Sequence, residues 1–339
     1  MKSDIKPKSS WSIAQIGRHL VTLIVLGLAV HVLIPQITSL QHSMLILQQM
    51  AIWAIILAII AQVFSYLGSG YLLKSIVQLS DHKLSIGRAT IIVLAAASLG
   101  IVVGGMVGIA AATIRWVQKA GASPEIAGLA GIVPGFFNSS VLILISLFGL
   151  IHLLLVHQLS RLQALSFAFL LLFLSGLVVL LMWGFNHRLR LAQIIHRLGE
   201  RWSKLLRQDY VPRRIDDWLL GLFNSWDLLI NGGWRGPVFG AALNLLFDML
   251  TLYLLFIAAG HQVSLGVLLT GYGLPLLIGR VAFIFPGGVG VVEGTMVALY
   301  DTLGVPDPVT VVVVLAYRIL SFWIPLLLGF PLIIVLQKR

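Results

Sequence analysis

The stretch Phe285–Tyr300 reads F-P-G-G-V-G-V-V-E-G-T-M-V-A-L-Y and breaks an apolar run that extends from Ser264 to Leu303. That run is roughly twice as long as a helix needs to cross a bilayer, about 20 residues. Pro286 ends an incoming helix, because proline lacks an N–H and clashes with the preceding turn. Gly287, Gly288 and Gly290 let the backbone reverse and approach a ligand closely. A helix restarting near Gly290 puts Glu293 in its first turn, where a carboxylate suits the positive end of the dipole. The free N–H groups of the same turn also suit an anion. Two readings of Glu293 follow: it caps the helix, or it meets a cationic or hydroxylated head group. A dinucleotide site is excluded, because the spacing is not G-x-G-x-x-G and the context is not a βαβ unit.

Around this hairpin the chain is 59% hydrophobic and 10% charged. Soluble domains run at about 45–50% apolar and about 25% charged. The expected class is therefore an all-α integral membrane protein. With no cysteine, disulfides, thiolate metal sites and cysteine nucleophiles are excluded. The nine histidines include no H-x-x-x-H pair, so no metal or other cofactor is expected. Basic residues exceed acidic ones by 23 to 12. In a membrane chain that excess reads as topology, and no nucleic-acid partner is expected.

Six stretches have the length and apolarity of full spans: Leu20–Ile37, Ala51–Leu73, Ile126–Val156, Gln163–Gly184, Pro237–Ala259 and Val309–Val335. Lysine and arginine collect before the first span, after the second, between Asn186 and Arg235, and at the end of the chain. All four regions are cytoplasmic by the positive-inside rule. This holds only if Thr90–Ile114 enters and returns on one side, and the same is required of Ser264–Leu303. The expectation is six spans and two opposed re-entrant hairpins, with both termini cytoplasmic. Irregular backbone at membrane depth is tolerated where it is buried in protein or lines a cavity.

The first hairpin carries Gly104, Gly105 and Gly108 in G-G-M-V-G, and the second carries G-G-V-G. Each lies between full spans, which fits an inverted repeat, an architecture of transporters; the other reading is an ordinary eight-span bundle with an atypical loop, since glycine doublets are common in membrane helices. Residues 1–339 read as a single membrane domain. Within it, residues 186–235 form a basic cytoplasmic segment. Leu191, Ile194, Ile195, Leu198 and Trp202 follow helical spacing there, with Arg190, Arg197 and Arg201 on the other side. That pattern fits a helix lying on an anionic leaflet, continued by Trp218–Ile230.

Ionisable residues at membrane depth are costly and mark candidate sites. Four stand out: Asp248, one turn after Asn244, then Arg280, Glu293 and Arg318. Their formal charges cancel, so ion pairs that pin helix packing are one reading. A cavity that binds a head group is the other. Arg115, at the exit of the first hairpin, is either an interfacial arginine beside Trp116 or a phosphate contact.

The run Phe285–Tyr300, followed by L-A-Y-R-I-L-S-F-W-I-P-L-L-L-G (Leu315–Gly329), resembles the lysylphosphatidylglycerol synthase transmembrane family. This is the flippase-like membrane region of the multiple peptide resistance factor and its stand-alone relatives. The resemblance extends over Pro237–Val335 and, less closely, Ile91–Leu150. There V-V-G-G-M-V-G-I-A-A-A-T-I-R (Val102–Arg115) replaces the family's L-P-G-G-x-G start with Val102-Val103. The first 50 residues match nothing specific. The resemblance implies lipid handling with opposed re-entrant helices, and site residues Arg115, Asp248, Arg280, Glu293 and Arg318. No aminoacylating domain is expected in these residues, which run to Arg339 directly after the last span. The expectation is a bacterial inner-membrane lipid translocator or lipid-binding transporter, not an enzyme. Its partners are membrane lipids, either anionic phospholipid or a lipid-linked substrate. A homo-oligomer or an envelope-biogenesis partner is also compatible. The alternatives are a scaffold docked through the basic segment, and a transferase using Asp216-Asp217, the only adjacent acidic pair.

Overall fold

A computed structural model describes residues 46–80, 82–102, 105–155, 161–206, 216, 219–221, 223–224, 226–227, 229–281 and 288–338. The expected span Leu20–Ile37, Gly104 and the Pro286-Gly287 break lie outside these residues. The described chain is helical, without strands. In order the helices are α1 (Ile52–Val77), α2 (Ile86–Val102), α3 (Met106–Lys119), α4 (Pro124–Leu155), α5 (Arg161–Asn186) and α6 (Arg188–Leu206). Then come α7 (Arg235–Ala258), α8 (Leu265–Val281), α9 (Val291–Thr302), α10 (Asp307–Arg318) and α11 (Ile324–Lys338). A wide π-turn, Ile319–Trp323, joins α10 to α11.

Among the described residues, four helices are long and apolar enough to cross a membrane: Ile52–Val77, Pro124–Leu155, Arg235–Ala258 and Asp307–Gln337. A fifth is counted where α5 and α6 are taken together across a 99° bend. The outward face of α1 exposes Ile52, Ile56, Ile60, Val63 and Phe64. So extensive an apolar surface suits lipid contact and not water. This is a multi-pass membrane protein.

The centre is the α1/α7 pair. Ala54, Ala58, Ala61, Ser65 and Gly68 form a buried stripe on α1. Small residues let membrane helices approach closely. A Cβ on Gly68 would lie 2.6 Å from the Asn244 backbone, and one on Gly240 would lie 2.6 Å from that of Leu72. Ala51 N donates to Ala258 O (2.9 Å), and Ser65 Oγ donates to Asn244 Oδ1 (2.9 Å). Partner numbers fall as α1 numbers rise, so the first spans of the two halves run antiparallel. That is the relationship an inverted repeat requires.

The two expected hairpins are α2–α3 and α8–α9. Their arms are 17, 14, 17 and 12 residues long. At about 1.5 Å per residue the longest arm reaches about 26 Å, short of the ~30 Å hydrocarbon core. In the first hairpin, Gly100 faces Ile109 across the pair. In the second, Gly271 faces Tyr300 and Gly279 faces Val292. The hairpins pack at opposite ends of α1. The first shares a core with Leu72, Leu73, Ile76 and Val77. The second shares one with Met50, Ala54 and Ala58. The hairpins are thus opposed, and Gly105 of the first and Gly288 of the second line one cavity between them.

The turn at each tip depends on glycine. Gly105 has φ +64° and Gly288 has φ +66°; at Gly105 ψ is −128°, outside the left-handed helical region, and such conformations cost other residues about 1–3 kcal/mol. The basic segment differs in part from expectation. On α6 Leu191, Ala192 and Ile195 pack on the first hairpin's core, while Ile194 and Leu198 are exposed. Leu219, Phe223, Trp226 and Leu229 are buried in that same core, so the second stretch packs into the protein and not onto the leaflet.

Candidate functional site

Mid-helix on α7, Asp248 is surrounded by donors from three other helices. Gln62 Nε2 on α1 donates to Oδ1 at 3.0 Å. Tyr272 on α8 and Tyr317 on α10 donate to Oδ2 at 2.9 and 2.6 Å. All three donors are neutral. Leaving this carboxylate exposed to lipid would cost about 2.5–3.5 kcal/mol on insertion scales, and here it faces protein and a cavity.

One turn earlier, Asn244 accepts from Ser65 and donates to Asn138 Oδ1 at 3.4 Å. The next residue on α4, Ser139, accepts a hydrogen bond from Arg280 Nη1. Among the described residues no carboxylate pairs with Arg280 and no cation pairs with Asp248.

The other two intramembrane charges do pair. Arg318 Nε lies 2.7 Å from Glu293 Oε1, with both side chains buried. Glu293 Oε2 accepts the Gly290 N–H at 2.7 Å, at the start of α9. Gly290 sits at φ +83° as the residue that precedes this helix. Both carboxylate oxygens of Glu293 are therefore used inside the protein. The Phe322 ring lies 4.4 Å from the Arg318 guanidinium carbon. Phe322 belongs to the π-turn, whose Leu320 carbonyl accepts the Tyr66 hydroxyl. Such turns free a carbonyl from the regular helix ladder and often occur at functional sites.

These elements enclose a cavity of about 390 Å³. Asp248, Arg280 and Arg318 line it, as do both tip glycines, Gly105 and Gly288. Glu293 and Gly290 are not among its lining residues. Its polar wall adds Gln62, Ser65, Tyr66 and Asn244. Gln62 is buried, and its Oε1 has no partner among the described residues. The apolar wall includes Leu94, Ile101 and Ile109 of the first hairpin and Leu326 of α11. Arg115 does not line the cavity and lies on an exposed face of α3. It is ten residues past Gly105, about 15 Å along the helix at 1.5 Å per residue.

The family model for the lysylphosphatidylglycerol synthase TM region matches residues 18–329, both hairpins and every cavity-lining residue included. The chain belongs to this family. The match begins well before residue 51, so most of the N-terminal stretch that resembled nothing specific is family sequence too. Among curated proteins, the chain is similar to a UPF0104 membrane protein of Methanothermobacter thermautotrophicus, 31% identical over 173 residues, covering 50% of this chain and 51% of that protein. It is also similar to a UPF0104 membrane protein of Methanocaldococcus jannaschii, 25% identical over 171 residues with the same shares. The chain spans about half the length of the curated relatives it matches.

Within this family member, Gln62, Tyr272, Tyr317, Asn138 and Ser139 are the site residues that charge alone does not reveal. Their signal is weaker: a lone glutamine in an apolar helix, the N-S-S triplet at 138–140, and a tyrosine between two glycines. Only one member of the acidic pair considered for catalysis is among the described residues. Asp216 is exposed and bonds His196 Nε2 at 2.7 Å, and Asp217 lies outside the described residues. No group of three or more His, Asp or Glu able to hold a metal occurs among the described residues.

Proposed function

We propose that the chain is a flippase-like lipid translocator of the cytoplasmic membrane, a binding and transporting protein and not an enzyme. Its cavity takes the head group of a phospholipid or lipid-linked substrate between the two hairpin tips. One observation carries this reading. Arg280 and Asp248 both face a cavity between opposed hairpins, and neither has an ion-pair partner among the described residues. Charges kept at membrane depth without an ion-pair partner are explained by a ligand that brings the opposite charge. The Arg280 guanidinium offers a planar fork to phosphate oxygens. Asp248 accepts from an ammonium or hydroxyl group. The apolar wall of α2, α3 and α11 lies beside acyl or polyprenyl chains. The helix ends near Lys74, Arg88 and Lys119 face the cytoplasm in this reading, by the positive-inside rule.

The test is transport in proteoliposomes, read as loss of accessibility of a head-group-labelled phosphatidylglycerol to a membrane-impermeant quencher. Wild type should move the lipid faster than protein-free vesicles. Arg280→Gln and Asp248→Asn should fall to the protein-free rate. Wild-type rates in both variants at equal reconstitution would remove the assignment.

A further inference from the structure

A second crevice, of about 280 Å³, opens at the outer end of the first hairpin, away from its glycine tip. Both arms of that hairpin and the last helix build it. Arg88 and Ile91 come from the start of α2 and Ser85 from just before it, Trp116 and Lys119 from the end of α3, and Leu336 from α11. Arg88 and Lys119 are exposed, whereas Trp116 and Leu336 are buried. No carboxylate lines the crevice, and neither cation is in an ion pair among the described residues. Lys119 Nζ donates to Gln337 O at 3.2 Å, which holds the amine beside the end of α11.

We infer that this crevice binds the phosphodiester of an anionic phospholipid, separately from the central cavity. Two cations on different arms of one hairpin, with an apolar floor between them, match the two parts of such a lipid. The guanidinium fork of Arg88 and the ammonium of Lys119 take phosphate oxygens. Ile91, Trp116 and Leu336 take the glycerol and the first acyl carbons. This end of the bundle also carries Lys74 and Lys83, and a cytoplasmic leaflet rich in anionic lipid attracts such residues. A bound lipid would tie α2 and α3 to α11 and so fix the outer end of the first hairpin. The site stands whether or not the central cavity transports lipid.

Native mass spectrometry of the purified full chain, titrated with phosphatidylglycerol or phosphatidylcholine, tests this. Wild type should retain phosphatidylglycerol in preference to phosphatidylcholine. Arg88→Gln combined with Lys119→Gln should weaken phosphatidylglycerol binding about tenfold. Arg88→Lys with Lys119→Arg should keep most of it, and Lys74→Gln, outside the crevice, should change it less than about twofold. Arg88→Gln alone, at an exposed side chain, should weaken binding several-fold and guards against misfolding of the double variant. Equal losses in Lys74→Gln and the double variant would mean only diffuse surface charge. Displacement of the lipid by millimolar inorganic phosphate would mean a free-phosphate site. Either result, or no preference between the two lipids, would overturn the inference.

Discussion

Arg318 and Glu293 form a buried ion pair 2.7 Å long, across α10 and α9. The second oxygen of Glu293 caps α9 through Gly290. Two of the four intramembrane charges thus hold the second hairpin in place. Removing one partner of a buried pair costs about 3–5 kcal/mol, because the other charge stays buried without compensation. Glu293→Gln should therefore lower the thermal midpoint of the detergent-solubilised protein sharply. Adding Arg318→Met should recover part of the loss. An unchanged midpoint with lost transport would reassign Glu293 to the ligand.

Asp248 behaves differently, because its donors are neutral. Asn at this position keeps an oxygen for two of them and nearly the same volume. Asp248→Asn should express and melt close to wild type while transport in proteoliposomes falls at least about tenfold, the loss of about 1.4 kcal/mol or more of binding. A parallel fall in midpoint and transport would make Asp248 a packing residue.

The hairpin tips differ in how much they tolerate a side chain. At Gly105 an added Cβ meets nothing within 4 Å, so only the backbone conformation resists it. At Gly288 the Cβ would also lie 2.9 Å from Val292 Cγ2 and 3.1 Å from Gly279 Cα. Gly105→Ala should cost about 1–3 kcal/mol from its backbone conformation, φ +64° and ψ −128°. Gly288→Ala should cost clearly more. Thermal melts of the two variants check the order, and equal losses would contradict the close approach of α8 to the second tip.

Sidedness is testable without background, since the chain has no cysteine. Ser85→Cys and Ala120→Cys, at the two ends of the first hairpin, should react with an impermeant maleimide from the same side. His261→Cys and Thr302→Cys, at the ends of the second, should react from the other side. Labelling of positions 85 and 120 from opposite sides would turn the first hairpin into a crossing.

Much of this arrangement is legible in the sequence, because charge and glycine leave strong marks in an apolar chain. Balancing the basic segments across the membrane predicts that both irregular stretches turn back, and P-G-G-V-G locates one of the turns. Asp248 and Arg280 are conspicuous for their charge alone. The pairing of Arg318 with Glu293 is less so, since it joins residues 25 apart on two helices, and the four charges equally allow other pairings. Tyr317 gives no signal as a carboxylate donor and Tyr272 only a weak one, its place between two glycines, because tyrosine is common in membrane helices for other reasons. Arg115 shows the limit of motif proximity. It shares a hairpin with Gly105, yet a straight α3 carries it to the far end from the cavity.

The central claim is that Arg280 and Asp248 hold one lipid head group together. Mass spectrometry of lipids that co-purify with a parent protein emptied at the outer crevice (Arg88→Gln with Lys119→Gln), and with that parent carrying Arg280→Gln or Asp248→Asn, tests it most directly. The account predicts one lipid class enriched over the bulk membrane in the parent and lost in both variants, with all three proteins equally stable. Enrichment that survives in both variants would contradict it and place the bound lipid elsewhere on the protein.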